Sequence, residues 1–211
     1  MKLRNSHKIF SSLTRQRKTS SSLSRSLENK YYIMRHGQAI SNVKEICSNW
    51  PEKFKNPLTQ KGRAQVKETI QKLKKKKIDF IFASDILRTK QTAEMVGKVL
   101  KIKPKFDKRL REQNFGIFNG TPFQNFKIFM GERGARRFKL KPKKGETYID
   151  IKKRMADFLK DADKKCKNKN ILIVSHQLPL IFLDAIVRGI SNKNFYKQRI
   201  DINTAELKEL N

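Results

Sequence analysis

Acidic residues are scarce in this chain: 19 Asp and Glu stand against 50 Lys and Arg among 211 residues, a formal net charge of +31. Cysteine is scarcer still. Cys47 and Cys166 lie far apart with no CxxC pair, and there are only three histidines, which excludes a disulfide framework and the zinc-ligand sets of finger modules. Long apolar runs are also missing. The best candidate, residues 171–187, is broken by Ser175, His176, Gln177 and Asp184, whereas a membrane span needs about 18 consecutive apolar residues. No membrane partner is expected. At roughly 100–200 residues per domain, the length suits one compact domain with a tail. A domain of that size buries enough apolar surface to fold without disulfides or structural metals.

The charge surplus has two readings: polyanion or nucleic-acid binding, and a Lys-rich solvated surface. Residues 1–30 hold eight basic residues, eight serines and one acid, Glu28. Such a stretch cannot bury enough apolar surface to offset ordering entropy, so a disordered tail is expected. Being basic, serine-rich and acid-poor, it also fits an organellar transit segment. The expected compartment is the cytoplasm, or a mitochondrion or plastid in the transit reading. The tail does not account for the charge, because residues 31–211 still carry 42 basic against 18 acidic residues. Aromatic residues are not interleaved with the basic runs as stacking platforms would be, and no RNA-binding signature occurs. No specific nucleic-acid partner is expected.

From Tyr31 the pattern becomes globular. Tyr31 to Met34 is a short β-prone run leading into Arg35-His36-Gly37. Val66, Ile70 and Leu73 predict a helix after Pro57-Leu58-Thr59, with Thr59 as its N-cap. Residues 78–83 (IDFIFA) read as a buried strand and are followed by Ser84-Asp85. A helix is predicted over about 89–100, with Ala93, Val96 and Leu100 inward. Ile151, Met155, Phe158, Ala162 and Cys166 give the longest helix, about 148–166, a good 3.6-residue period. Ile171 to Val174 is a continuous apolar strand ending at Ser175-His176, and a helix follows over 180–187. This alternation predicts an α/β fold: a mainly parallel sheet with helices on both faces, in three layers.

In open α/β sheets the ligand crevice lies beyond the carboxyl ends of the strands. Arg35-His36-Gly37, Ser84-Asp85 leading to Arg88, and Ser175-His176 all sit just past predicted strand ends. Arginine offers a rigid, always-charged fork that matches phosphate oxygens. A neutral histidine beside it can attack phosphorus through one ring nitrogen. One carboxyl group can then protonate the leaving group and afterwards activate water. Glu112, in Leu110-Arg111-Glu112 before a turn-rich stretch, is the best-placed acid. Taken singly, each residue has a plainer reading: a hydrogen-bonded strand-end histidine, a solvated Arg88, a surface Glu112. The set is what points to a site, since two of the three histidines end strands of one predicted sheet.

These blocks, in this order, resemble the histidine phosphatase superfamily, the phosphoglycerate-mutase-like fold. Arg35-His36-Gly37 with Asn42 matches the RHGxxxxN signature, and Pro57-Leu58-Thr59 with Gly62 matches PLTxxG. Ser84, Arg88 and Gln91-Thr92-Ala93 match the block that supplies a second pocket arginine. Leu110-Arg111-Glu112 with Phe115-Gly116 and Gly120, then Gly145-Glu146-Thr147, then Val174-Ser175-His176 complete the series over about residues 31–190. The resemblance implies that His36 is the phosphorylated nucleophile and Glu112 the proton donor and later base. It implies that Arg35, Arg88 and His176 hold the phosphoryl oxygens, with Asn42 a further polar contact, and that no metal or organic cofactor is needed.

Two departures stand out. Relatives often carry glycine after the second histidine, where this chain has Gln177, which can add an amide contact at the pocket mouth. Mutase-type relatives carry a longer insertion after the acid block; here 25 residues lie between Gly120 and Glu146. The expected activity is therefore hydrolysis of a small phosphorylated substrate by a broad-specificity type of phosphatase. The alternatives are mutase-type phosphotransfer, a phosphohistidine protein phosphatase, and a polyanion-binding protein with a degenerate pocket. Residues 130–145 hold seven basic residues against Glu132. That segment reads as a substrate flap in the resemblance and as a solvated loop on composition. Oligomeric state is not legible.

Overall fold

The computed structural model describes residues 27–211. In chain order the elements are β1 (Lys30–Arg35), α1 (Ile40–Val43), α2 (Gln60–Leu73), β2 (Phe80–Ala83), α3 (Leu87–Leu100), β3 (Lys105–Phe106), α4 (Phe123–Met130), α5 (Tyr148–Lys165), β4 (Asn170–Ser175), α6 (Gln177–Val187), α7 (Phe195–Gln198) and β5 (Leu207–Glu209). The five strands form one sheet in the order β3-β2-β4-β1-β5. All pairings are parallel except that of β5, which runs antiparallel to β1. This is the expected α/β sandwich.

Strand periodicity decides which side chain enters which core. Along β1, Tyr31 and Ile33 face one core while Tyr32 and Met34 face the other; in β4, Ile171 and Ile173 alternate with Leu172 and Val174 in the same way. Successive Cβ atoms point to opposite faces, so strands buried on both sides read as continuous apolar runs. Ile151, Met155, Phe158 and Leu159 of α5 and Leu180 to Leu183 of α6 fill the larger core. Val66, Ile70 and Leu73 of α2 and Ala93 and Val96 of α3 fill the smaller one.

Helix starts follow local chemistry. Thr59 caps α2 as predicted, its hydroxyl accepting from the Gly62 N–H at 3.0 Å. Thr147 and Asp150 form a reciprocal capping box on α5, which satisfies two backbone donors that otherwise lack partners. The sequence reading started α6 late. Its first turn is Gln177-Leu178-Pro179, where the fixed φ of proline suits a helix start.

Most of the expected tail, residues 1–26, lies outside the described residues. Asn29 and Lys30, assigned to that tail, belong to the fold. Lys30 opens β1, and the buried Asn29 amide donates to the Cys166 carbonyl at 2.7 Å and to Asp163 Oδ1 at 2.9 Å. One polar side chain thereby satisfies the end of α5 and anchors the start of β1.

Candidate active site

Register brings the three strand-end clusters together. Arg35 pairs with Ser175 across β1 and β4, and Ala83 pairs with Val174 across β2 and β4. His36, Ser84 and His176 therefore leave the sheet along one edge, and the two imidazole rings meet with centroids 5.1 Å apart. Arg35, His36, Arg88 and Glu112 line one pocket of about 760 Å³, together with Asn42 and Gln177.

The loop bearing His36 is held by residues from the other motifs. The Gly37 N–H donates to Thr92 Oγ1, the Gln38 N–H to Gln65 Oε1, and the Thr59 N–H to the Gln38 carbonyl. Gln91 Oε1 accepts from the Leu58 N–H at 2.8 Å. The Pro57-Leu58-Thr59 and Gln91-Thr92-Ala93 blocks thus position the His36 loop and are not among the pocket-lining residues.

A hydrogen bond to a carbonyl assigns the His36 tautomer. His36 Nδ1 lies 2.7 Å from the Gly37 carbonyl. A carbonyl only accepts, so Nδ1 carries the proton and Nε2 keeps its lone pair. Arg88 Nε donates to that Nε2 at 3.1 Å. At His176, Nε2 lies 3.0 Å from Ser84 Oγ, which already accepts from the Ile86 N–H. The Ser84 hydroxyl both donates and accepts, so this contact is compatible with either His176 tautomer. Among the described residues, His176 Nδ1 and Arg35 Nε are buried without a hydrogen-bond partner. Such groups are costly unless they meet one, and for the Arg35 N–H an oxyanion is a suitable acceptor.

Burial, reinforced by the Arg88 and Arg35 cations, holds His36 well below the usual histidine range; burial and Arg88 do the same for His176. Both rings are neutral at neutral pH. Burial pushes Arg88 down to about 10, so it stays charged. It is 3% exposed. Its Nη2 donates to the Ser48 carbonyl at 2.9 Å, and its Nη1 lies 3.5 Å from Glu52 Oε1. A buried charge of this kind needs partners, and Ser48 and Glu52 were not singled out in the sequence because nothing in their spacing ties them to Arg88.

Glu112 lines the pocket with Oε1 accepting from the Gln113 N–H at 2.8 Å. Burial raises its carboxyl above the usual range, against the pull of Arg88 and Arg35. Its backbone is fixed from α5: Arg154 donates to the carbonyls of Arg109 and Glu112 and pairs with Glu146 at 2.9 Å. Glu146 Oε2 in turn accepts from the Asn114 N–H. This explains the Gly145-Glu146-Thr147 block as a brace for the acid loop. Asn42 also lines the pocket, but its Oδ1 caps α1 by accepting from the Ala39 N–H at 2.9 Å. Gln177 is the first residue of α6 and reaches the same pocket. From the basic 130–145 segment, Arg133 and Arg137 line the pocket.

Known proteins are similar to this chain in sequence and fold. A Hydrogenobacter thermophilus protein named "Putative phosphoserine phosphatase 2" is 28% identical over 177 residues, covering 82% of this chain and 85% of that protein. A Yersinia enterocolitica protein named "Probable phosphoglycerate mutase GpmB" is 26% identical over 168 residues, covering 75% of this chain and 74% of that protein. A mycobacterial glucosyl-3-phosphoglycerate phosphatase structure has the same fold, with a TM-score of 0.72 at 22% identity, covering 85% of this chain and 91% of its own. The relatives thus carry both phosphatase and mutase names. The family model of the histidine phosphatase superfamily (branch 1) matches residues 31–211, and the chain belongs to that superfamily.

Proposed function

We propose that this protein is a metal-independent phosphomonoester hydrolase that works through a phosphohistidine at His36 on a small phosphorylated metabolite. The observation that carries this reading is the 2.7 Å contact of His36 Nδ1 with the Gly37 carbonyl. It fixes the lone pair on Nε2, beside Arg88 and in the same pocket as Glu112.

In the first step the Nε2 lone pair attacks phosphorus and the P–O bond to the alcohol breaks. The leaving oxygen takes the Glu112 carboxyl proton, and a P–N bond has replaced the P–O bond. In the second step water attacks phosphorus and gives its proton to the Glu112 carboxylate. The P–N bond breaks, releasing inorganic phosphate and neutral His36. The raised Glu112 carboxyl suits the acid role, and the lowered His36 suits the nucleophile. Arg35, Arg88 and His176, in the tautomer with its proton on Nδ1, are the donors for the equatorial oxygens, which is the electrostatic task a metal performs in other phosphoryl transferases.

The short connection between Gly120 and Glu146 supports hydrolysis over mutase-type transfer, and the presence of Glu112 supports alcohol phosphoesters over phosphohistidine protein substrates. The test is phosphate release from an aryl phosphate in excess chelator. Hydrolysis by the wild type and none by His36→Ala is expected. A requirement for added metal, or activity in His36→Ala, overturns the mechanism. Isomerised phosphoglycerate without phosphate release would assign the mutase reaction instead.

A further inference from the structure

The pocket changes character from floor to mouth. Its floor is the buried set of His36 and Arg88, with no contribution from lysine. Phe115, Phe123 and Phe126 form an aromatic wall; Phe115 meets Phe126 edge to face at 4.9 Å, and Leu178 and Ile181 of α6 line the same cavity. The more solvent-open part of the lining holds four further cations, the exposed Lys127 and Arg133 and the half-buried Arg137 and Arg199, against the exposed acid Glu45.

These cations are not needed by the chemistry at His36. Lys127 and Arg133 are exposed, whereas His36, Arg88 and His176 are buried. Arg137 is held in place by its own backbone neighbourhood: Nε donates to the Glu132 carbonyl at 3.1 Å and Nη2 to the Gly131 carbonyl. Both acceptors are neutral, so the Arg137 charge is not cancelled. Arg199 lies over the Tyr196 ring and has Asp201 at 3.6 Å, an acid that is itself largely exposed. A fixed, uncancelled guanidinium is a good receptor for a carboxylate or phosphate. The cavity of about 760 Å³ falls in the range of about 300–1,000 Å³ that holds medium-sized organic ligands, which leaves room beyond a single phosphoryl group.

We propose that the pocket takes a phosphomonoester with an apolar body and a second anionic group at its far end, bound by Lys127, Arg133, Arg137 and Arg199. This rests on the phosphatase reading for the floor of the site, but the mouth is tested separately. The probes are a benzylphosphonate bearing a para-carboxyethyl group and its carboxamide twin, which cannot transfer the phosphoryl group. Calorimetric titration of the wild type should give about tenfold tighter binding of the carboxylate, as expected for one charge-assisted contact. In Arg133→Gln/Arg137→Gln the ratio should fall to about twofold or less. Arg136→Gln removes one charge from the same segment but outside the pocket, and should keep the wild-type ratio.

Equal affinities for the two probes in the wild type overturn the proposal. So does a ratio that survives in the double variant, or one that falls equally in Arg136→Gln, which would mean general surface charge. If the ratio behaves as expected but the matching phosphate esters are not hydrolysed, the hydrolase reading fails and the anion subsite stands.

Discussion

Arg88 donates from Nε to Nε2 of His36 at 3.1 Å, so the guanidinium that would bind phosphoryl oxygens rests on the nitrogen that would attack phosphorus. The contact orients the ring, and an arriving anion exchanges it for contacts to oxygen. Lysine cannot reproduce both functions, because it lacks the planar fork that also reaches Ser48. Arg88→Lys should lower kcat/KM on an aryl phosphate by about 10²–10³, in line with the loss of one preorganised donor. Steady-state kinetics check this, and a loss of only a few-fold would count against a role for Arg88 in the transition state.

Glu112 is assigned the proton for the leaving alcohol. Alkoxides are poor leaving groups, whereas aryl oxides leave without help. Glu112→Ala should therefore cut kcat/KM on an alkyl phosphate by about 10²–10⁴ and on p-nitrophenyl phosphate far less. In the wild type, the alkyl activity should fall as pH rises through the raised Glu112 value, since the acid form is then lost. Equal losses on both substrates would remove Glu112 from that role.

Both buried histidines tie stability to pH. Their folded-state values lie well below the usual range, while in the unfolded chain they titrate near about 6.5. Between those values the unfolded chain binds more protons, so stability is full above about pH 6.5 and declines as pH falls below it. His176→Asn removes one such group. Urea unfolding between about pH 7.5 and 5.5 should show a shallower decline in the variant, by up to about 1.4 kcal/mol per pH unit. Parallel curves would contradict the neutral, buried assignment of His176.

Gly37 and Gly62 pack backbone to backbone. A Cβ on Gly62 would lie 2.0 Å from the Gln38 carbonyl oxygen, and one on Gly37 would lie 2.5 Å from the Gly62 carbonyl oxygen. Gly62→Ala should destabilise the fold by about 1–3 kcal/mol, the usual cost of overpacking, and displace the His36 loop. Gly134→Ala meets nothing within 4 Å and should leave the thermal midpoint nearly unchanged. Thermal melts of the two variants check the contrast.

The sheet and the gathering of the candidate site residues were legible because their signals are local. Apolar runs such as Ile171 to Val174 announce a strand buried on both faces, and Thr59 announces a helix start. Strand ends then gather Arg35-His36, Ser84 and Ser175-His176 at one edge. Five elements escaped. β3 has two residues, β5 has three with charged neighbours, α1 and α7 have four each, and α4 is a short aromatic helix without a cap signal. Such pieces are ordered by tertiary pairing and not by propensity. The supporting residues escaped for a related reason. Arg154 reaches the Glu112 loop from α5, and Glu52 meets Arg88 across 36 positions of sequence; only the fold makes them neighbours. The charge surplus was the most conspicuous feature of the sequence, yet two arginines, the half-buried Arg35 and the buried Arg88, carry the proposed chemistry.

The most direct test is to quench the protein in alkali during turnover of a phosphomonoester and to locate the phosphate by mass spectrometry. The account predicts a phosphoryl group on His36, stable in alkali, lost in acid, and absent from His36→Ala. Phosphate on another side chain, an acid-stable adduct, or sustained hydrolysis by His36→Ala would contradict it.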